Sequence, residues 1–109
     1  MLFRSEALRT GSLKFLQGEK DVLCYGRFNR KQQFVVILNN SAEKKEITRE
    51  VWSIGIPKNG MMERLIITTE AGYSLMPKEY KVEDGRITVT LLPHSAAVLK
   101  YKEIGRAHV

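Results

Sequence analysis

The stretch Gln33-Phe34-Val35-Val36-Ile37-Leu38-Asn39-Asn40 decides the fold. Its five consecutive large apolar residues are mostly β-branched or aromatic, and a pair of asparagines closes them. The run is too short for a helix and apolar at both alternating sets of positions. It therefore predicts a central strand covered on both faces. Asn39-Asn40-Ser41 then carries turn chemistry, because short amide and hydroxyl side chains bond their own backbone.

Working back from this strand, Asp21 to Phe28 sets Val22, Cys24, Gly26 and Phe28 against Leu23, Tyr25 and Arg27. That alternation predicts a strand with one better-buried face. Asn29-Arg30-Lys31-Gln32 is the loop between the two, so the pair is read as an antiparallel hairpin. Upstream, Ser12-Leu13-Lys14-Phe15-Leu16 opens the β region with Leu13 and Phe15 on one face, and Gln17-Gly18-Glu19-Lys20 turns the chain. Glu6 to Arg9 reads as the last turn of a helix whose body is absent, ended by Gly11.

Working forward, a strand is expected from about Lys44 to Trp52, although Ile47, Val51 and Ile54 also lie at helical spacing. Pro57-Lys58-Asn59-Gly60 is a turn, Arg64 to Thr69 a strand, and Glu70-Ala71-Gly72 a further turn. Tyr73 to Pro77 and Glu79 to Val82 are short and poorly patterned. In Glu83-Asp84-Gly85 the Asp-Gly pair suits the positive-φ positions of a type I′ hairpin. Arg86 to Leu91 then alternates strictly, with Ile87, Val89 and Leu91 facing in, and Ala96 to Tyr101 is the closing strand. Short strands between turn signals every ~8–12 residues predict an all-β fold, an antiparallel β-sandwich of Greek-key type with about seven or eight strands.

A chain of 109 residues is one domain, long enough for a single core. No apolar run approaches the ~20 residues that a membrane helix needs. The single cysteine, Cys24, excludes an internal disulfide and a zinc site built of thiolates, and its place in a strand pattern predicts a buried, inert thiol. A formal charge of +6 raises nucleic acid as a partner. Gly26-Arg27-Phe28-Asn29-Arg30-Lys31-Gln32-Gln33-Phe34 even interleaves basic and aromatic residues, as single-strand binders do. Elsewhere, however, lysines and arginines alternate with acids, as in Glu43-Lys44-Lys45-Glu46, Arg49-Glu50 and Glu63-Arg64. That is the pattern of a mixed, solvated surface, and no nucleic-acid partner is expected.

Both ends look foreign to the fold. Ile104-Gly105-Arg106-Ala107-His108-Val109 resembles a translated sequencing adapter, and Met1-Leu2-Phe3-Arg4-Ser5 resembles the translated reverse complement of the same adapter. Residues 1–5 and 103–109 are therefore expected to be scars, 6–11 the end of a preceding helix, and 12–102 the sandwich.

Four pieces carry a family resemblance. Ala7-Leu8-Arg9-Thr10-Gly11-Ser12-Leu13-Lys14-Phe15-Leu16 resembles the leucine-arginine-x-glycine junction of the α-amylase superfamily, where the last helix of a catalytic barrel meets a C-terminal β-sandwich. Val22 to Arg27 is similar to that domain's second strand, with Tyr25 followed by Arg27. Phe34 to Ser41 resembles its run of aliphatics followed by asparagine, x and serine. Leu91-Leu92-Pro93-His94-Ser95-Ala96-Ala97-Val98-Leu99 resembles its closing leucine-proline segment. The nearest likeness is to the neopullulanase, cyclomaltodextrinase and maltogenic amylase group, although the proline-proline-tyrosine-glycine turn common there is Pro93-His94-Ser95-Ala96 here.

The resemblance implies a cytoplasmic parent enzyme that cleaves α-glucosidic bonds with two carboxylates on a (β/α)8 barrel. Retaining glycosidases hold those groups ~5 Å apart, and such a barrel needs ~250 residues of its own. No position in this chain matches the catalytic motifs, so no catalytic, cofactor or metal residue is assigned. Asp21 and Asp84 fall at turns, and His94 has neither a second histidine nor a nucleophile at a recognisable spacing. Ser41 and Ser95 are likewise read as turn residues. The expected partner is the parent's barrel, with Leu8, Leu13 and Phe15 at the contact. The alternative is a carbohydrate-binding sandwich that takes maltooligosaccharide on Trp52, Tyr73 and Tyr80, since aromatic faces offer broad apolar area with little freedom to lose.

Overall fold

The computed structural model describes residues 12–16, 21–29 and 31–102. Residues 1–11 and 103–109, with Leu8 among them, lie outside the described residues. The strands are β1 (Ser12–Phe15), β2 (Val22–Phe28), β3 (Gln33–Asn39), β4 (Lys45–Glu50), β5 (Met61–Thr69), β6 (Gly72–Ser74), β7 (Glu79–Lys81), β8 (Arg86–Leu91) and β9 (Ser95–Lys102). All pairings are antiparallel.

One sheet has the order β1-β2-β3-β9-β5-β6, with β7 also on β5; the other is the pair β4-β8. The sheets pack face to face as the expected all-β sandwich. Its core takes Val22, Cys24, Val35, Ile37, Met62, Ala97 and Leu99 from the large sheet and Ile47, Ile87, Val89 and Leu91 from the small one. Nine strands form among the described residues, where about seven or eight were expected. The weakly patterned pieces around Tyr73 and Tyr80 supply the difference. Both lie along one side of β5, β6 at Ile67–Thr69 and β7 at Met61–Glu63, and pairing there makes up for what their own pattern lacks.

The strand expected to reach Trp52 ends at Glu50, and Trp52–Ile54 form a 3-10 turn. Val51, Ile54 and Ile56 are all buried, and an extended chain would turn Ile54 and Val51 to opposite faces. The turn brings them to one side, and Gly55 ends it at φ 97°. The helical spacing of Val51 and Ile54 was the stronger signal at this point.

Turn chemistry is as the residues predict. Asp84 (φ 52°) and Gly85 (φ 80°) are both in the positive-φ region that a type I′ turn requires, with Glu83 and Arg86 exchanging backbone hydrogen bonds across it. Asp21 also takes a positive φ, 69°, as a turn residue. Asn39 is 2% exposed and serves as a knot between loops. Its amide donates to the carbonyls of Glu43 and Leu92, while its Oδ1 accepts from the backbone and hydroxyl of Ser41. Ser95 Oγ donates to the same Leu92 carbonyl. Cys24 is buried, and burial pushes its thiol up from 9.0 to about 12, against the opposing pull of the Arg49 guanidinium.

Candidate docking surface

β3 is central, as predicted, but the chain covers it unequally. Val35 and Ile37 point into the core at 0% exposure, whereas Val36 and Leu38, on the other face, are only half-buried. The expectation of cover on both faces is met on one face only. The second sheet consists of β4 and β8 and lies on the inner side alone, so among the described residues no third layer is formed.

Residues opposite each other on paired strands share a face. The register therefore builds a continuous row across the outer side of the large sheet: Phe15, Tyr25, Val36, Val98 and Ile66. Beside it runs a second row, Leu23, Leu38, Ala96, Thr68 and Tyr73. Phe15 and Tyr73 are 63% and 72% exposed, and Leu23 is also exposed. The Phe15 and Tyr25 rings meet edge-on, 6.2 Å between centroids. Five strands spaced ~4.8 Å and two rows along them give a footprint of about 300 Å². The largest apolar patch on a typical monomer is ~300–600 Å².

The third row is charged: Leu13, Arg27, Phe34, Lys100 and Glu63. Lys100 Nζ lies 5.8 Å from the centroid of the buried Phe34 ring. Lys31, Gln32, Glu63, Lys100, Tyr101 and Lys102 enclose an open cleft of about 510 Å³ at this end. Lys102 donates to Glu79, which raises the ammonium's pKa above its ordinary value. The outer side of the large sheet is thus apolar in the middle and basic along one margin.

The outer face of the small sheet is the opposite in kind. Its rows are Glu46–Thr90, Thr48–Thr88 and Glu50–Arg86. The two threonine hydroxyls are 2.9 Å apart, and Arg86 donates to Glu50 at 3.2 Å. This face is built for water.

Of the residues predicted from sequence, Leu13 and Phe15 lie on the outer side of the large sheet, on rows next to each other. The register adds Tyr25, Val36, Leu38, Val98 and Ile66. Only alternation within each strand marked these residues, and alternation alone does not say which set faces out.

The three aromatic sugar candidates are spread apart. Tyr73 pairs with Thr68 and Tyr80 with Met62, at opposite ends of β5 and about 20 Å apart at ~3.3 Å per residue. Tyr80 is half-buried against the core, with Lys78 Nζ 5.5 Å from its ring centroid. Trp52 is 49% exposed and lines a different cleft. In the basic and aromatic stretch 26–34, Phe34 is 1% exposed and Phe28 packs half-buried against the core, so neither ring is an open stacking platform. Among the described residues, no group of three or more His, Cys, Asp or Glu side chains could hold a metal ion, and no helix is long and apolar enough to cross a membrane.

Known structures share this architecture. The α-amylase from Geobacillus thermoleovorans, solved with acarbose, superposes with a TM-score of 0.74 at 18% identity over 93% of this chain and 20% of its own. An Anoxybacillus α-amylase gives 0.64 at 20% identity over 91% of this chain and 20% of its own. The trehalulose synthase from Pseudomonas mesoacidophila gives 0.61 at 24% identity, over 91% of this chain and 16% of its own. The chain therefore spans about a fifth or less of the length of these enzymes. Residues 13–102 match the family described as the all-β C-terminal domain of α-amylase, and the chain belongs to that family.

Proposed function

We propose that this chain is the non-catalytic C-terminal domain of a glycoside hydrolase acting on α-glucans or maltooligosaccharides, and that the outer side of its large sheet packs on the parent's catalytic barrel. One observation carries the docking reading: β3 is apolar at every position from Phe34 to Leu38, yet two of its three outer residues, Val36 and Leu38, are only half-covered by this chain. The small sheet, with its paired threonines and ion pair, offers a partner nothing comparable. The much greater length of the structural relatives supports a large catalytic partner as the occupant. At ~25 cal/mol per Å², covering about 300 Å² contributes several kcal/mol, a material share of a total stability of ~5–15 kcal/mol. The likeness to the neopullulanase group favours a cytoplasmic parent.

The test begins with the source DNA upstream of the codon for Glu6: an open frame that continues into a barrel with paired carboxylates supports the reading, and a native start at or just before Glu6 overturns it. The full enzyme should hydrolyse maltooligosaccharides, while this chain alone should not. Removing the domain after the barrel's last helix should lower the barrel's melting temperature. An unchanged melting temperature would remove the docking role, and hydrolysis by this chain alone would contradict the non-catalytic assignment.

A further inference from the structure

We propose that the catalytic barrel supplies an aspartate or glutamate carboxylate to the Arg27 guanidinium, forming a buried ion pair that fixes how the outer side of the large sheet seats on its partner. The pair presupposes the docking role proposed above and specifies what the partner must present there. Arg27 stands in the row Leu13, Arg27, Phe34, Lys100 and Glu63, next to the apolar row that runs through Tyr25 and Val36. It is half-buried, and its Nε is shut off from water with no hydrogen-bond partner. A buried guanidinium N–H without an acceptor is destabilising. On a face that this chain leaves half-covered, such a donor marks the place where an acceptor arrives from outside.

Nothing beside Arg27 on this chain supplies that acceptor. Its neighbours on the same face by register, Leu13, Phe15, Tyr25, Phe34 and Val36, carry no carboxylate. Glu63, the acid in its row, lies opposite Lys100 and three strands from Arg27, about 14 Å away at ~4.8 Å per strand. Elsewhere the chain pairs its own cations: Lys45 with Glu43, Arg86 with Glu50, and Lys102 with Glu79. The other orphaned guanidinium nitrogen, Arg64 Nε, belongs to a side chain that already donates to Met76 O at 3.2 Å. A planar guanidinium holds a carboxylate through two parallel N–H bonds and is desolvated more readily than an ammonium, which suits it to a pair inside an apolar interface. Lys100, opposite Phe34 on its far side, belongs to the basic margin and draws the same anionic partner.

Arg27→Met keeps an apolar stem and removes the charge. In this chain alone, where the guanidinium has no partner to lose, the substitution should leave the folded-to-unfolded ratio unchanged or raise it, as read by urea denaturation. In the intact parent it should lower that ratio about a hundredfold, because the barrel's carboxylate is left buried and unpaired. Arg27→Gln should show the same contrast, so that one variant's failure to fold does not decide the outcome. Changing the barrel acid that faces Arg27 to its amide should also destabilise the parent, and the double variant should lose less than the sum of the two. Equal effects of the Arg27 variants in the two settings would overturn the ion pair. The docking face survives that result if Val36→Asp still costs more in the parent than in the chain alone; if Val36→Asp also acts equally, the docking role fails with the pair. A stability of the chain alone that rises with protein concentration, and no longer does so in Arg27→Met, would give the surface to a second copy and overturn the barrel as its occupant.

Discussion

Replacing Val36 by Asp should affect this domain very differently when it is alone and when it is joined to its catalytic partner. Val36 is the middle residue of the row Phe15, Tyr25, Val36, Val98, Ile66, and it is half-buried in the isolated chain. There the carboxylate still reaches water, and the cost is the poorer strand propensity of Asp, about 1 kcal/mol. Once docked, the other half of the side chain is covered. Full burial of valine is worth ~1.5–3 kcal/mol, so about 1 kcal/mol of apolar contact is lost. An unpaired carboxylate in a dry interface adds about 3 kcal/mol. With the same propensity cost the docked loss is therefore about 5 kcal/mol, some 4 kcal/mol more than in isolation, or roughly a thousandfold in the domain's contribution to equilibrium stability. Urea denaturation of the chain alone and of the intact parent, each with and without the substitution, measures both values. Thr88→Asp, on the polar face of the small sheet, is the control: it carries a strand-propensity cost of about 1 kcal/mol and the loss of the Thr48 contact, and should change both settings equally. Equal losses from Val36→Asp in the two settings would refute the assignment of this face.

Other substitutions test the framework behind that face and the turn against Trp52. Asn39→Ala removes four hydrogen bonds from a site 2% exposed: those its amide donates to the Glu43 and Leu92 carbonyls, which keep Ser41 Oγ and Ser95 Oγ as donors, and those its Oδ1 accepts from the Ser41 backbone and hydroxyl. It should cost about 3 kcal/mol and lower Tm by roughly 12 °C or more; a fall under about 3 °C in a thermal melt would remove the knot from the account. Gly85→Ala combines a residue at φ 80° with a Cβ driven into the indole, and should cost roughly 1–2 kcal/mol while shifting Trp52 emission to the red. An unshifted emission would mean that the ring does not rest on the turn. Cys24 binds its proton more tightly folded than unfolded, from 9.0 to about 12, so its contribution is intact below pH 9 and is lost as pH rises towards 12. Cys24→Ala should flatten the stability profile across that window while leaving its shape below pH 8 unchanged, as read by urea midpoints at each pH. In the native chain the thiol should resist alkylation until denaturant is added.

What the sequence by itself determined is what short-range physics controls. Asp84-Gly85 specifies its turn because few residues accept positive φ in succession, and the strict alternation of Ile87, Val89 and Leu91 identifies a half-buried strand without knowing its partners. The run from Phe34 to Leu38 marks a strand with two apolar faces, and a hairpin joins it to β2. Tertiary structure alone decided which of those two faces this chain covers, because that depends on where β4 and β8 return after long excursions. It made strands of the pieces around Tyr73 and Tyr80, whose pattern was too weak locally, by hydrogen-bonding both to one side of β5. It bent Val51 to Ile54 into a turn so that both could be buried, and thereby set Trp52 half-open beside Glu50. Periodicity says that a residue has a side; only packing of distant segments says whether that side meets the core, water or another domain.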